Sequence, residues 1–156
     1  MIKFRFATVD DVPMILSFIK ELAAYEKMSD EVTATEDLLR ERIFDKRRAE
    51  VLFALENGIE IGFALFFHNF STFLGKDGIY LEDLYIKEKY RGKGYGRAII
   101  SELAKIAVER DCGRLEWWCL DWNKASIDFY LKLGAEPMND WTFYRLDEKH
   151  LRELAK

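Results

Sequence analysis

Ile79-Tyr80-Leu81-Glu82-Asp83-Leu84-Tyr85-Ile86, then Arg91-Gly92-Lys93-Gly94-Tyr95-Gly96-Arg97, then a run with apolar residues at Ile99, Ile100, Leu103, Ile106 and Ala107, decides how this chain folds. The first stretch is aromatic and β-branched, the composition of a strand. The last carries its apolar residues at helical spacing and reads as a helix to about Asp111. A further strand follows at 114–120, with two adjacent tryptophans. Strand, loop, helix and strand in this order require a parallel crossover.

The loop carries the chemistry. Glycines between a strand and a helix leave backbone N–H groups uncovered at the positive end of the helix dipole, which is a place for phosphate. Arg91, Lys93 and Arg97 add side-chain cations that suit a diphosphate better than a single carboxylate. Two nucleotide classes are excluded by spacing. A Walker A loop ends in Gly-Lys-Ser/Thr, whereas Gly96 is followed by Arg97 and Ala98. A dinucleotide fingerprint needs a third glycine where Arg97 stands.

Outward from this unit, Asn57-Gly58 predicts a tight hairpin between strands at 50–56 and 59–70, because the pair supplies positive φ at both turn positions. Ile2, Phe4 and Phe6 alternate as a first strand. Thr8, Asp10, Asp11 and Pro13 then start a helix to about Tyr25, and Thr33 with Glu36 reads as a capping box for a second helix. Asn123 caps a helix through Leu133 that Gly134 ends, residues 141–146 read as the last strand, and Asp147 caps a short terminal helix. The sum is one α/β (α+β) domain, 1–156, with a mixed sheet of six to seven strands and flanking helices.

The 156 residues, 49% hydrophobic and 33% charged, provide a core without disulfide or metal staples. A net charge of −4 argues against a nucleic-acid partner, whose binding would rest on neutralised phosphates. The longest apolar run, 61–67, is far short of a membrane span, and the N-terminus reaches Asp10 before any signal-like stretch, so a cytoplasmic protein is expected. Cys112 and Cys119 have no metal-ligand partner near them in sequence, and His68 and His150 sit apart from them, so no metal is expected.

Arg91-x-x-Gly94-x-Gly96, after a strand and opening a helix, resembles the acetyl-CoA pyrophosphate loop of the GNAT N-acetyltransferase superfamily. Residues 19–26 (Ile-Lys-Glu-Leu-Ala-Ala-Tyr-Glu), Tyr80-Leu81-Glu82-Asp83, and Trp122-Asn123 through Ser126, Ile127, Phe129 and Tyr130 to Gly134-Ala135 are similar to its diamine (spermidine/spermine) acetyltransferase branch. The resemblance implies a mixed sheet that splays open for the pantetheine arm, with acetyl-CoA as cofactor and CoA as product. Backbone contacts are implied along Leu84, Tyr85 and Ile86, with the pyrophosphate over Arg91, Gly92, Lys93, Gly94, Tyr95, Gly96 and Arg97. Asn123, Lys124, Ala125 and Ser126 carry over as a second CoA contact.

By the same resemblance Glu82 takes the proton of the attacking amine, directly or through water, and Tyr130 protonates the leaving thiolate and contacts the cofactor. Tyr25 and Glu26, with Glu82 and Asp83, carry over as contacts of a small cationic amine, and a homodimer joined through the C-terminal strands is implied. In a regular strand Asp83 points away from Glu82, so both serve one site only if a bulge interrupts the pleat. The segment 135–141 is a few residues shorter than in the animal polyamine enzymes. That keeps other acceptors open: a thialysine-like amino acid, a protein amine or an aminoglycoside. A non-catalytic acyl-CoA sensor would have no need of Glu82 and Tyr130.

Overall fold

Asn57 and Gly58 take φ of 52° and 78°, the two left-handed conformations that a two-residue hairpin requires. They join β2 (Glu50–Glu56) to β3 (Ile59–Ser71) in the computed structural model, which describes all 156 residues. β4 (Lys76–Ile86) follows β3, and β1 (Ile2–Phe6) pairs with β2. With β5 (Leu115–Trp117) the sheet runs β1-β2-β3-β4-β5, antiparallel throughout except for the parallel β4-β5 pair. Gly62 lets β3 approach β4, since a Cβ there would lie 2.6 Å from the Tyr85 carbonyl oxygen.

The chain divides into two compact units, Met1–Trp118 and Cys119–Lys156. The first contains the whole sheet, α1 (Val12–Tyr25), α2 (Glu36–Leu39, continued by a π-helical stretch Arg40–Asp45) and α3 (Tyr95–Glu109). The second contains α4 (Lys124–Lys132) and α5 (Glu148–Leu154).

Within the first unit the pleat sorts the core into two layers. Val51, Phe53, Phe63 and Tyr85 share one face, where α1 buries Ile15, Phe18 and Leu22 against them. Phe18 is the hub, with ring centroids 5.9, 5.2 and 6.3 Å from Phe53, Phe63 and Tyr85. The alternate positions Leu52, Ala64, Phe66, Ile79 and Leu81 are buried on the other face. α3 packs against β4 and β5 and buries Ile99, Ile100, Leu103, Ile106 and Ala107.

The mixed class agrees with the sequence reading, but the sheet has five strands, not six to seven. Residues 141–147 take no regular secondary structure. Alternating apolar residues make a strand only where a neighbouring strand supplies the ladder, and Trp141 and Tyr144 are here 74% and 87% exposed. β5 is also shorter than the expected 114–120. The cap of α2 is Thr35, whose side chain accepts from the Leu38 N–H at 3.2 Å, not Thr33. Glu36 therefore opens the helix and does not close a capping box.

Phe18→Ala empties the space shared by three aromatic rings. Denaturant unfolding should show a loss of about 3–5 kcal/mol; a loss under about 1 kcal/mol would mean that the surrounding rings close the gap.

Candidate active site

β3 and β4 pair Leu65 with Asp83 but Phe66 with Leu81, so β4 carries one residue more than β3 at this step. A bulge of this kind shifts the pleat by one. Leu81 keeps the face of Phe66, on the α3 side, whereas Asp83 takes the face of Leu65, on the α1 side. Glu82, alternating with Leu81, emerges on that same α1 side. The interruption that the sequence reading required for the two acids to serve one site is present.

Glu26, the residue that ends α1, completes the cluster. Burial raises the Glu26 carboxyl above its ordinary range, and the charge of Glu82 adds to it. Burial pushes Asp83 further, with Glu82 and Glu26 contributing, to about 7. A carboxyl poised there can hold or release a proton at neutral pH, a hallmark of functional sites. Tyr80 stands on the same face, its ring 5.2 Å from Phe67 and 5.8 Å, edge-on, from Trp118. The Tyr80 hydroxyl is buried with no hydrogen-bond partner, and burial, then Glu82 and Glu116, raise its pKa. A buried orphan hydroxyl near Glu82 and Glu116 is a group set up to meet a ligand. The sequence reading named Tyr80 only as part of the Tyr80–Asp83 motif and gave it no role in the site; the carboxylate pair that follows it was the available signal.

The parallel β4-β5 ladder ends at Leu81–Trp117. Glu82 through Ile86 therefore have β3 on one side and no strand of the sheet on the other, which leaves a backbone edge along Leu84, Tyr85 and Ile86 able to take amide groups. Past that edge the chain makes a short 3-10 turn, Glu88–Tyr90, and enters the glycine loop. Gly92 and Gly94 take φ of 77° and 82°, and no atom lies within 4 Å of where a Cβ would stand on either. Left-handed backbone, not crowding, is what demands glycine at both. Gly94 caps α3, so the N–H groups of Tyr95, Gly96 and Arg97 have no carbonyl one turn back. The Tyr95 hydroxyl bonds to Glu56 and fixes this helix start to the end of β2. An open backbone edge leading to a glycine-lined helix N-terminus fits an acyl-CoA.

Arg91 is engaged in a way the sequence did not announce. Its Nε donates to the Ile86 carbonyl at 2.9 Å, and its guanidinium lies 4.8 Å from the Tyr25 ring and 5.2 Å from that of Tyr85. The loop is thus joined to the end of α1, where Tyr25 and Glu26 sit. Lys93 lies 5.5 Å from the Tyr90 ring. Tyr25, Glu26, Glu82, Asp83, residues 84–86 and the loop 91–97 all belong to the first unit. In the second, buried Asn123 caps α4, its Oδ1 accepting from the Ser126 N–H at 3.3 Å, with Lys124 and Ala125 exposed beside it. Tyr130 is half-buried further along α4, its ring 5.4 Å from Phe129, and Gly134 ends the helix region at φ 91°.

The mixed sheet, its open β4 edge and the glycine loop at the start of α3 define an acyl-CoA-dependent acyltransferase. Residues 16–135 match the acetyltransferase (GNAT) family, to which the chain belongs, and it is accordingly an acetyl-CoA-dependent N-acetyltransferase. The chain is 37% identical over 166 residues to the thialysine N-epsilon-acetyltransferase of Bos taurus, covering 99% of this chain and 97% of that protein. It is 30% identical over 200 residues to the L-ornithine N5-acetyltransferase of Arabidopsis thaliana, covering 99% and 88%. It is 34% identical over 165 residues to the spermidine/spermine N(1)-acetyltransferase-like protein 1 of Homo sapiens, covering 98% of this chain and 24% of that one. Among solved structures, an integron cassette protein of V. cholerae superposes with a TM-score of 0.82 at 26% identity, covering 99% and 98%.

Asp83 yields a pH-dependent outcome. Its carboxyl holds a proton more tightly folded than unfolded, so the stability it contributes is full below the ordinary carboxylate range and is lost as pH rises through about 7. Asp83→Asn stays neutral throughout. The variant should melt above the wild type beyond about pH 8 and lose that advantage toward about pH 4, the unfolded carboxylate range. A difference in melting temperature that does not vary with pH would mean the carboxyl is ionised across the range.

Proposed function

We propose that the chain transfers the acetyl group of acetyl-CoA to the terminal primary amine of a polyamine such as spermidine or spermine, or of a diamine. The observation that carries this reading is the acidic cluster Glu26, Glu82 and Asp83 on one face of the sheet. A cluster of that sign attracts a molecule with two or more ammonium groups.

Acetyl-CoA supplies the acetyl group as a thioester. Tyr25 and Glu26 receive the substrate, an aromatic face and a carboxylate being suited to an alkylammonium. An amine with a pKa of about 10.4 must lose a proton before it attacks. Glu82 takes it, directly or through water, and Asp83 is the adjoining carboxyl whose affinity for protons matches neutral pH. Tyr130 Oη holds the proton that the departing sulfur requires. Backbone N–H groups from Gly92 to Arg97 hold the pyrophosphate with Lys93 and Arg97, while Arg91 braces Tyr25 and Tyr85. The edge at Leu84, Tyr85 and Ile86 takes the pantetheine amides. Asn123, Lys124, Ala125 and Ser126 form the second CoA contact, the Asn123 side chain through the cap it provides.

One observation favours a second acceptor class. The Arg91 guanidinium beside Tyr25 is a cation suited to the carboxylate of a diamino acid, and two of the relatives are named for thialysine and ornithine. We further propose that residues 1–156 act as a single acetyltransferase domain, since the family match runs across both units. The protein is proposed to work in the cytoplasm; no helix is long and apolar enough to cross a membrane. It is proposed to act as a homodimer, with the segment around exposed Met138, Trp141 and Tyr144 pairing with a second copy.

CoA release measured across spermidine, a short diamine, thialysine, ornithine and a lysine peptide should rank the polyamine or diamine first. Thialysine or ornithine in first place would select the second acceptor class, and a tenfold preference for the peptide would overturn the small-amine reading. Absence of CoA release with every amine would leave a binding domain. Tyr130→Phe should lower kcat by roughly 10²–10⁴-fold, and Glu82→Gln should move the acidic limb of the pH–rate profile. For the oligomer, light scattering should return the mass of two chains, and Trp141→Glu should return that of one. A monomeric wild type at micromolar concentration would remove the dimer.

A further inference from the structure

The second half of β3, beyond the bulge, brings together three side chains that acetyl transfer does not use. His68 pairs with Ile79 across the β3-β4 ladder and Phe70 pairs with Asp77, so His68 and Asp77 are diagonal neighbours on one face. It is the α3 face, opposite to that of Glu82 and Asp83. Cys112 reaches the same place from the turn that follows α3. That turn is fixed at three points: Cys112 N–H to the Ala107 carbonyl at 2.8 Å, Gly113 N–H to the Asp77 carbonyl at 2.9 Å, and Ile79 N–H to the Arg114 carbonyl at 2.9 Å. The imidazole nitrogen, carboxylate oxygen and sulfur of the trio lie within 4.8 Å of one another. Residues 68, 77 and 112 are too far apart in sequence for their spacing to have announced it.

We propose that His68, Asp77 and Cys112 form a binding site for a borderline d-block divalent cation, zinc foremost. One nitrogen, one oxygen and one sulfur ligand are the donor set of that ion class and not of calcium or magnesium, which take oxygen. Three protein ligands leave a fourth position for water or an added ligand. Bonds of about 2.0–2.3 Å in a tetrahedron place ligand atoms roughly 3.3–3.8 Å apart, so closing from 4.8 Å asks for about 1 Å of side-chain rotation. Exposed His68 has the freedom to supply it.

The cations around the trio are matched by partners of their own. Lys76 pairs with Asp111 at 2.9 Å, and Arg110 makes two bonds to Glu50, at 2.7 and 2.9 Å. Arg110 Nη1 also stands 3.3 Å from His68 Nε2. A guanidinium only donates, so it addresses the lone pair of that nitrogen, and an ion binding there replaces this contact while Glu50 retains the arginine. The thiolate is the form of cysteine that binds such an ion, so entry of the ion expels the Cys112 thiol proton.

The test uses the full chain under reducing conditions, with zinc followed by calorimetry and cobalt(II) by absorption. One ion per chain is expected, with a near-ultraviolet thiolate-to-cobalt charge-transfer band. Cys112→Ser should abolish the band, and His68→Ala, Asp77→Asn and Cys112→Ser should each weaken zinc binding by at least about tenfold. Cys119→Ser should bind as the wild type does. Because a variant can fail to fold, the wild type supplies its own control: zinc should slow alkylation of Cys112, read by mass spectrometry, and leave Cys119 unchanged. No zinc binding, binding that survives Cys112→Ser, or equal effects on both cysteines would overturn the proposal.

Discussion

The extra residue in β4 opposite the Leu65–Phe66 step is the constraint on which the rest of the site depends. A regular pleat would put Leu81 and Asp83 on one face and Glu82 alone on the other. With the bulge, Leu81 stays in the core layer under α3 while both acids turn to the α1 face. The same irregularity comes immediately after the last β4-β5 pair, Leu81–Trp117. One inserted residue therefore assembles the acids and adjoins the point where the sheet's parallel edge opens. Bulges bend and twist a strand as well as shifting its register, which is why they belong beside sites that need a strand re-aimed.

Phe18 and Arg91 turn that local geometry into a fixed arrangement. Phe18 holds α1 to the sheet through three rings, one of them Tyr85 on the open edge. Arg91 then reaches Tyr85 and Tyr25 together and ties its Nε to the Ile86 carbonyl. The open β4 edge, the glycine loop and the end of α1 are thus one mechanical piece. A guanidinium held by two rings and a carbonyl is oriented in a way that a lysine ammonium could not reproduce, because lysine lacks the planar stacking surface.

Local rules made much of this legible. Asn57-Gly58 dictates its own turn, Gly92 and Gly94 occupy left-handed positions where glycine is required, and Asn123 caps α4 as its side-chain chemistry predicts. Each depends on residues within one turn of chain. What escaped the sequence depends on a partner strand or a distant element. Register is a property of two strands, so the bulge at Glu82 could be posed as a condition but not deduced. The alternation of 141–146 reads as a strand although no ladder exists for it within this chain. Arg91 carries the charge of a phosphate ligand, but its stacking on Tyr25 needs α1 in place, and the meeting of Cys112 with His68 and Asp77 needs the full β4-α3-β5 crossover. Thr33 and Thr35 show the limit of local rules themselves, since both offer a hydroxyl and the backbone alone selects which one caps.

The acid cluster also explains why the site is not built for maximum stability. Bringing Glu26 and Asp83 together beside the charge of Glu82 opposes the ionisation of those two groups, and the free energy that lifts Asp83 to about 7 is free energy the folded state surrenders once the group is charged. That same lift lets the Asp83 carboxyl exchange a proton near neutral pH. Stability and reactivity are here two readings of one electrostatic quantity. Any change that relieves the repulsion, by neutralising an acid or supplying a cation, moves both together. A cation placed beside Glu26 and Asp83 acts from outside: it stabilises their charged forms, and the negative charge of the cluster is what attracts it.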